Sequence, residues 1–263
     1  MMKKEFDYNE ITEDYYDKIY HTDKSVRGFW HWSKFETVKK IITDNNNGTN
    51  TKTNTNKKNV LDIGCFSGTF LGTLAESDFS YQLGIDILPK QINFASNKYG
   101  TKFRDFIYIS DLKDTLGNKY NDFFDVVTII EVIEHLNAME ISQMLKGAHN
   151  LLKSNGELII TTPNYFSIWP LLEFYLNKFS DISYKEQHIS KFTFLNFEKK
   201  MLFIMSDFQK KFKIELKTTS HLLTPFMAKF NYGLAQKMAS IVNAKYWKIF
   251  FGPLLVIKLK AIK

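Results

Sequence analysis

The chain has 263 residues, 44% of them hydrophobic, a formal net charge of +7 and one cysteine. That length and apolar content fill one core of ordinary density, so a single large domain with decorations is expected rather than two domains. One cysteine excludes an internal disulfide framework and suits a reducing compartment.

The positive charge invites a nucleic-acid reading, but only Arg27 and Arg104 are arginines and every other basic residue is a lysine. Base readers and bidentate phosphate clamps lean on Arg. The charge is therefore read as a solvated lysine-rich surface, and nucleic acid is not the expected partner. The start of the chain, MMKKEFDYNEITEDYYDK, has no apolar run after its lysines, which argues against a secretory signal. The run from Ile249 to Ile257 is too short to span a bilayer. A soluble cytoplasmic protein is expected.

In chain order, residues 1–44 read as a helical extension, with helices between Tyr8 and Ile42 broken near His21-Thr22-Asp23. The extension contains GFWHW, Gly28 to Trp32, whose large side chains either form a lid over a ligand or dock the extension onto the main domain. Residues 45–59 are rich in Asn, Thr and Lys, without an apolar anchor, and read as a flexible loop. Residues 60–263 alternate. Strands are expected over Val60–Ile63, Tyr81–Ile85, Phe106–Ile109, Phe124–Ile130 and Glu157–Thr162, and helices over Thr69–Glu76, Lys90–Lys98 and Ala138–Leu152. FDVVTII, Phe124 to Ile130, is a β-branched run suited to a strand buried on both faces. Repeated strand–helix units imply a doubly wound, mostly parallel α/β sheet with ligands at the carboxyl ends of the strands. After Pro163 a helix over Phe192–Met205, a strand over Phe212–Thr218, a helix over Phe226–Val242 and a last strand over Leu254–Lys260 are expected.

The first strand runs into VLDIGCFSG, Val60 to Gly68. Gly64 lets the backbone approach a ligand closely, and Gly68 lets the next helix start near the strand. Loop amides at that helix start can hold a carboxylate, and Asp62 can accept a hydrogen bond from a ligand amino group. The spacing does not fit the dinucleotide pattern G-x-G-x-x-G. Asp86 ends the second strand, 22 positions after Gly64, where a carboxylate can accept two ribose hydroxyls. Asp111 ends the third, where it can accept an adenine amino group while Leu112 offers its backbone amide. A lone Asp of this kind is more simply a helix cap. Three at successive strand ends make one nucleoside site.

VLDIGCFSG, GID, SDL, FDVVTIIEVIEHL and LLKSNGELIITTPN resemble the successive motifs of class I S-adenosylmethionine-dependent methyltransferases, over roughly residues 60–164. EVIEHL and TTPN are similar to the group of ubiquinone-biosynthesis O-methyltransferases and small-RNA 3′-terminal 2′-O-methyltransferases. The resemblance implies a seven-stranded sheet with an antiparallel last strand. It implies a cofactor, S-adenosylmethionine, with Asp62, Gly64, Cys65 and Gly68 around its methionine part. Asp86 and Ile87 would lie at the ribose, Asp111 and Leu112 at the adenine, and Glu131 at the same edge. Many members have glycine where Phe66 stands.

Methyl transfer to oxygen also requires loss of a proton, by a base or a metal. Glu131, Glu134 and His135 follow the fourth strand and would share one side of a helical turn, with His188 beyond the fifth strand. Two readings stay open. The four converge on one Mg²⁺ or Mn²⁺ ion, as the resemblance implies, or His135, with Glu131 beside it, serves as the catalytic base. The bland alternative makes Glu134 a cap, His135 a packed side chain and His188 an exposed loop residue. Related loops often carry a second histidine where Ser190 stands. Aromatic and aliphatic side chains in acceptor-side insertions near 165–190 and 221–247 favour a small aromatic or lipid-linked hydroxyl acceptor, unless they are ordinary core. Phe226 to Trp247, with Lys229, Lys237 and Lys245, is either an amphipathic element touching a membrane surface or a core helix. An RNA 3′-terminal 2′-O-methyltransferase and a non-catalytic protein of the same fold are the alternative functions.

Overall fold

Strands β1 (Lys58–Ile63), β2 (Phe79–Asp86), β3 (Arg104–Tyr108), β4 (Phe124–Ile130), β5 (Leu152–Pro163), β6 (Phe212–Ser220) and β7 (Leu254–Ala261) form one sheet in the order β3-β2-β1-β4-β5-β7-β6. The computed structural model describes residues 4–5, 11–43, 57–110, 116, 118–179, 182–183, 187–222, 224–241 and 250–263. All pairings from β3 to β5 are parallel, and β7 runs antiparallel to both β5 and β6. This is the doubly wound seven-stranded sheet that the alternating pattern and the family resemblance imply.

Successive side chains of a strand point to opposite faces. In central β4, Val127 and Ile129 enter one core while Val126 and Ile130 enter the other. In β1, Leu61 and Ile63 oppose Val60 in the same way. Helices α5 (Ala138–Leu151), α7 (Phe197–Ile204) and α8 (Phe208–Lys211) cover the first face. Helices α2 (Val26–Thr43), α3 (Thr69–Gly72) and α4 (Pro89–Tyr99) cover the second. Two covered faces explain why FDVVTII carries no alternation of apolar and polar residues.

From Tyr15 to Thr43 the N-terminal extension is helical: α1 (Tyr15–Thr22) and α2 break at 23–25, where Asp23 accepts a hydrogen bond from the Ser25 amide at 2.7 Å. Val38, Ile41 and Ile42 of α2 are part of the core. Buried Asp17 of α1 accepts from Thr69 Oγ1 at 3.1 Å and also bonds Lys98 and Tyr99 of α4. The extension is thereby fixed to the elements that flank β1.

Several elements differ from their predicted bounds. Helix α3 stops after four residues, because Thr73 Oγ1 bonds back to the Phe70 carbonyl at 2.7 Å and Ala75 is extended. The helix expected from Phe192 starts at Phe197, since Thr193 and Asn196 bond each other's amides in a closed turn. The helix expected over Phe226–Val242 is split into α9 (Thr224–Ala228) and α10 (Tyr232–Ile241), with Asn231 Oδ1 accepting from the Leu234 amide at 2.9 Å as a new cap. Strand β3 ends at Tyr108, and both Asp111 and Leu112, expected at its carboxyl end, lie outside the described residues. So do most of the Asn-rich segment and residues 242–249, including Lys245. One further helix, α6 (Trp169–Phe179), follows β5.

Candidate active site

The turn after β1 depends on two left-handed glycines. Gly64 has φ +77, and a Cβ there would meet Val132 Cγ2 at 2.5 Å. Gly68 has φ +71, and a Cβ there would meet Phe106 and Ala95 below 3 Å. A side chain at either position would be both strained and obstructed. Phe66 adopts φ +49. The chain keeps a glycine-like backbone with a phenylalanine, and the Phe66 ring packs edge-on against Tyr16 of α1 at 4.8 Å. Tyr16 in turn lies 5.0 Å from the His31 ring of α2. The extension therefore rests on this loop.

Asp86 ends β2, and Asp62 lies one residue before the end of β1, on the same edge of the sheet. Both are buried. Asp62 accepts from Thr128 Oγ1 at 2.7 Å, and burial pushes its carboxyl up to about 7. Asp86 accepts from the amides of Phe66 at 2.8 Å and Leu88 at 3.0 Å, and burial outweighs these bonds and raises its carboxyl as well. Cys65 is buried between Gly64 and Phe66 with its thiol pushed up by burial, whereas Ile87 is largely exposed. Two buried carboxyls, both raised and on one edge of the sheet, suit a ligand that brings an amino group and hydroxyl donors.

Glu131 and Glu134 do not share one side of a helical turn. Glu131 has φ +53, and only Ile133–His135 forms a single 3-10 turn. Glu131 consequently turns toward α2, where its carboxylate accepts from Trp30 Nε1 at 3.1 Å and pairs with the buried Lys34 ammonium. Burial alone would raise its pKa, but the charge and hydrogen bond of Lys34, with His31 and Trp30, hold it at about 2. Glu134 turns inward and is pushed up to about 8 by burial and by the nearby Glu131 charge. Its Oε2 accepts from Thr162 Oγ1 of β5 at 3.0 Å.

Glu134, His135 and His188 do come together, each offering a ligand atom within 4.8 Å of the others. Glu131 is not in that group. Nδ1 of His135 meets the Gln187 carbonyl at 3.0 Å and so carries the hydrogen. Burial lowers the basicity of His135 to about 4. His188 is not an exposed loop residue: its side chain is 8% exposed and packs against Trp169 and His135. Ser190 takes no ligand position, since its amide donates to the Glu134 carbonyl at 2.9 Å and its hydroxyl to the Leu136 carbonyl at 2.7 Å. These bonds clamp the 187–190 segment to the turn that carries Glu134 and His135.

Sequence reasoning missed Lys34 and Glu173. Lys34 follows Trp30 by four positions, one helical turn, so the two reach Glu131 from the same face of α2. Glu173 is the one charge in the otherwise apolar start of α6, WPLLEFYL, a signal that a partner for it is buried nearby.

The doubly wound sheet, the left-handed turn after β1 and the acidic strand ends lie together on the edge where such a sheet binds ligands. The family described as methyltransferase domain matches residues 35–201. The chain belongs to that family and carries a class I S-adenosylmethionine-dependent methyltransferase domain. It is 33% identical to the ubiquinone biosynthesis O-methyltransferase of Rickettsia canadensis over 112 residues, which are 41% of this chain and 44% of that protein. It is 31% identical to the mitochondrial ubiquinone biosynthesis O-methyltransferase of Rattus norvegicus over 109 residues, 40% of this chain and 30% of that protein. The matches thus span less than half the length of these relatives. The structure is similar in fold to the N-methyltransferase NodS from Bradyrhizobium japonicum in complex with S-adenosyl-L-homocysteine, with a TM-score of 0.54 and 11% identity over 89% of this chain and 88% of that one.

Two outcomes follow from this geometry. Asp86→Ala should weaken binding of S-adenosyl-L-homocysteine by about 1.5–3 kcal/mol, the scale of hydrogen bonds to a charged group. Calorimetry showing unchanged affinity would remove Asp86 from the site. Lys34→Ala should lower the unfolding free energy at pH 7 by about 3–5 kcal/mol, because it strands the Glu131 carboxylate. Glu131 is depressed in the folded state, so its stabilisation is present above its ordinary value of 4.5 and is lost as pH falls through about 2. Urea titrations of the two proteins should accordingly converge toward pH 2, and a gap independent of pH would contradict the assignment.

Proposed function

We propose that the enzyme methylates a hydroxyl oxygen of a small aromatic or lipid-linked acceptor. The observation that carries this reading is the convergence of Glu134, His135 and His188 beside the strand ends that suit the cofactor. An oxygen acceptor must shed its hydroxyl proton to attack well, whereas a neutral amine nitrogen attacks through its own lone pair. The names of the two O-methyltransferase relatives agree with it. Aromatic rings flank the cluster: Trp30 lies 5.1 Å from Trp169 and 4.4 Å from His221, and Trp169 lies 6.0 Å from His188. Such a wall favours a planar, apolar acceptor body.

In this reading Asp62 takes the cofactor's amino group, the loop from Gly64 through Cys65 to Gly68 its carboxylate, and Asp86 with Ile87 its ribose. Asp111 and Leu112 are assigned to the adenine. Transfer breaks the sulfur–methyl bond with its electron pair left on sulfur, forms the oxygen–methyl bond and releases the hydroxyl proton. Positioning of oxygen and methyl supplies much of the rate. Glu131, ion-paired and held near 2, is a poor proton acceptor at neutral pH, as is His135 near 4. Glu134, pushed up to about 8, is suited to hold the proton on its carboxylate.

The same trio fits a hard or borderline divalent ion. It pairs a carboxylate with two imidazoles and includes no thiolate, and His135 is neutral with its lone pair on Nε2. Glu134, His135 and His188 would hold Mg²⁺ or Mn²⁺, without Glu131. When bound, such an ion lowers the pKa of the acceptor hydroxyl and orients its oxygen. Excess chelator should abolish turnover while S-adenosyl-L-homocysteine still binds, and added Mn²⁺ or Mg²⁺ should restore it. Full activity in chelator eliminates the ion, and full activity of Glu134→Gln as well eliminates the whole cluster.

Among the described residues no helix is long and apolar enough to cross a membrane. Phe230, Leu234, Met238 and Ile241, in and just before α10, are nevertheless exposed, with Lys229 and Lys237 beside them. That face supports peripheral contact with an anionic membrane surface that would present a lipid-linked acceptor. Flotation with anionic liposomes should carry a fraction of the protein upward, less so for Leu234→Glu/Ile241→Glu. Protein left wholly at the bottom of the gradient sinks this part of the proposal.

A further inference from the structure

His188 does not hang freely beside Glu134 and His135. Its Nδ1 lies 2.8 Å from the Tyr165 hydroxyl and 2.9 Å from Glu173 Oε1, and the Tyr165 hydroxyl donates to the same Oε1 at 2.9 Å. Three polar atoms thus close a triangle with near-equal sides. The His188 and Glu173 side chains that form it are only 8% and 11% exposed.

Counting hydrogens fixes the tautomer. The phenol contributes one hydrogen, and it points to the carboxylate. The carboxylate contributes none. Were Nδ1 to carry a lone pair, it would face the lone pairs of two oxygens below 3 Å with no hydrogen between. The triangle is satisfied only with a hydrogen on Nδ1, which leaves Nε2 as the nitrogen that can offer a lone pair. A histidine that serves as a ligand is commonly held in this way, with its other N–H given to a carboxylate.

We propose that Glu173 and Tyr165 are positioning residues that lock His188 in its Nδ1–H tautomer and so keep a lone pair on Nε2 for the Glu134–His135–His188 cluster. The tautomer rests on the hydrogen-bond count alone; its use by a metal ion rests on the reading above. The two residues have unequal parts. Glu173 is the acceptor that requires a hydrogen on Nδ1. Tyr165 is neutral to the choice while Glu173 takes its proton. Without Glu173, the phenol's best remaining acceptor is Nδ1 itself, and donating to it moves the ring hydrogen to Nε2. Glu173→Ala should therefore disable His188 more than Glu173→Ala/Tyr165→Phe does. A role confined to packing predicts the reverse, because the double variant removes more contact.

Long-range proton–nitrogen correlation spectra of the full-length protein, labelled with ¹⁵N-histidine and free of metal, read the tautomer directly. Wild type and Tyr165→Phe should place the His188 hydrogen on Nδ1, Glu173→Ala should place it on Nε2, and the double variant should return part of the population to Nδ1. Mn²⁺ titration by calorimetry should give an affinity about 10–100-fold weaker in Glu173→Ala, with the double variant between it and wild type. A wild-type His188 carrying its hydrogen on Nε2 overturns the proposal without recourse to any variant, as does a folded Glu173→Ala with the tautomer unchanged. The expected tautomers with no Mn²⁺ binding in wild type would support the positioning role and dispose of the metal reading separately.

Discussion

The ion pair between Lys34 and Glu131 joins residues 97 positions apart and ties the N-terminal helices to the carboxyl edge of the sheet. Its consequences reach through the site. It holds α2 over the turn after β1, where Phe66 and Tyr16 pack, and it brings Trp30 to the aromatic wall beside Trp169. It also draws Glu131 away from Glu134. A charge pair this buried is a costly device unless both ends are fully bonded, and Trp30 supplies the additional donor that Glu131 needs.

Two glutamates three residues apart are thereby given opposite properties. Glu131, beside an ammonium, is held near 2, and Glu134, buried beside the first charge, is raised to about 8. One remains an anion that organises the extension. The other is held toward its neutral form. The division is local in cause: the left-handed backbone at Glu131 ends β4 and aims the two side chains apart. Backbone strain of this kind costs about 1–3 kcal/mol and persists where surrounding bonds over-determine it. Here those bonds are the Glu131 amide to the Thr161 carbonyl and the pairing with Lys34.

The clamp on the other side of the cluster has the same logic. Ser190 bonds the turn that carries Glu134 and His135, and Glu173 with Tyr165 bonds His188 from α6. The cluster is held from β5, the 187–190 segment and α6 together. Each donor is thus fixed by a partner that contributes no chemistry of its own, the arrangement by which a site keeps its geometry between turnovers.

Much of this was legible along the chain. VLDIGCFSG, GID and FDVVTII carried the first, second and fourth strands and the turn between β1 and α3, because strand burial and glycine spacing are local patterns. Asp62 and Asp86 could be placed on the carboxyl edge of the sheet because the apolar runs that end at them mark where the parallel strands stop. Helix ends were less legible: Thr73 and Asn231 stop or restart helices through single hydrogen bonds that compete with the apolar periodicity around them. The proximity of Glu134, His135 and His188 was anticipated from the family resemblance, but their separation from Glu131 was not. Spacing on an assumed helical turn cannot register a left-handed residue at a strand end. Sequence by itself determined the alternating architecture, the cofactor-side turn and the residue types of the cluster, since each is encoded within a few neighbouring positions. Tertiary structure alone decided that Lys34 takes Glu131, that Ser190 serves as a tether and that Glu173 and Tyr165 hold His188, because those partners meet only when helices from both ends of the domain pack over one edge of the sheet.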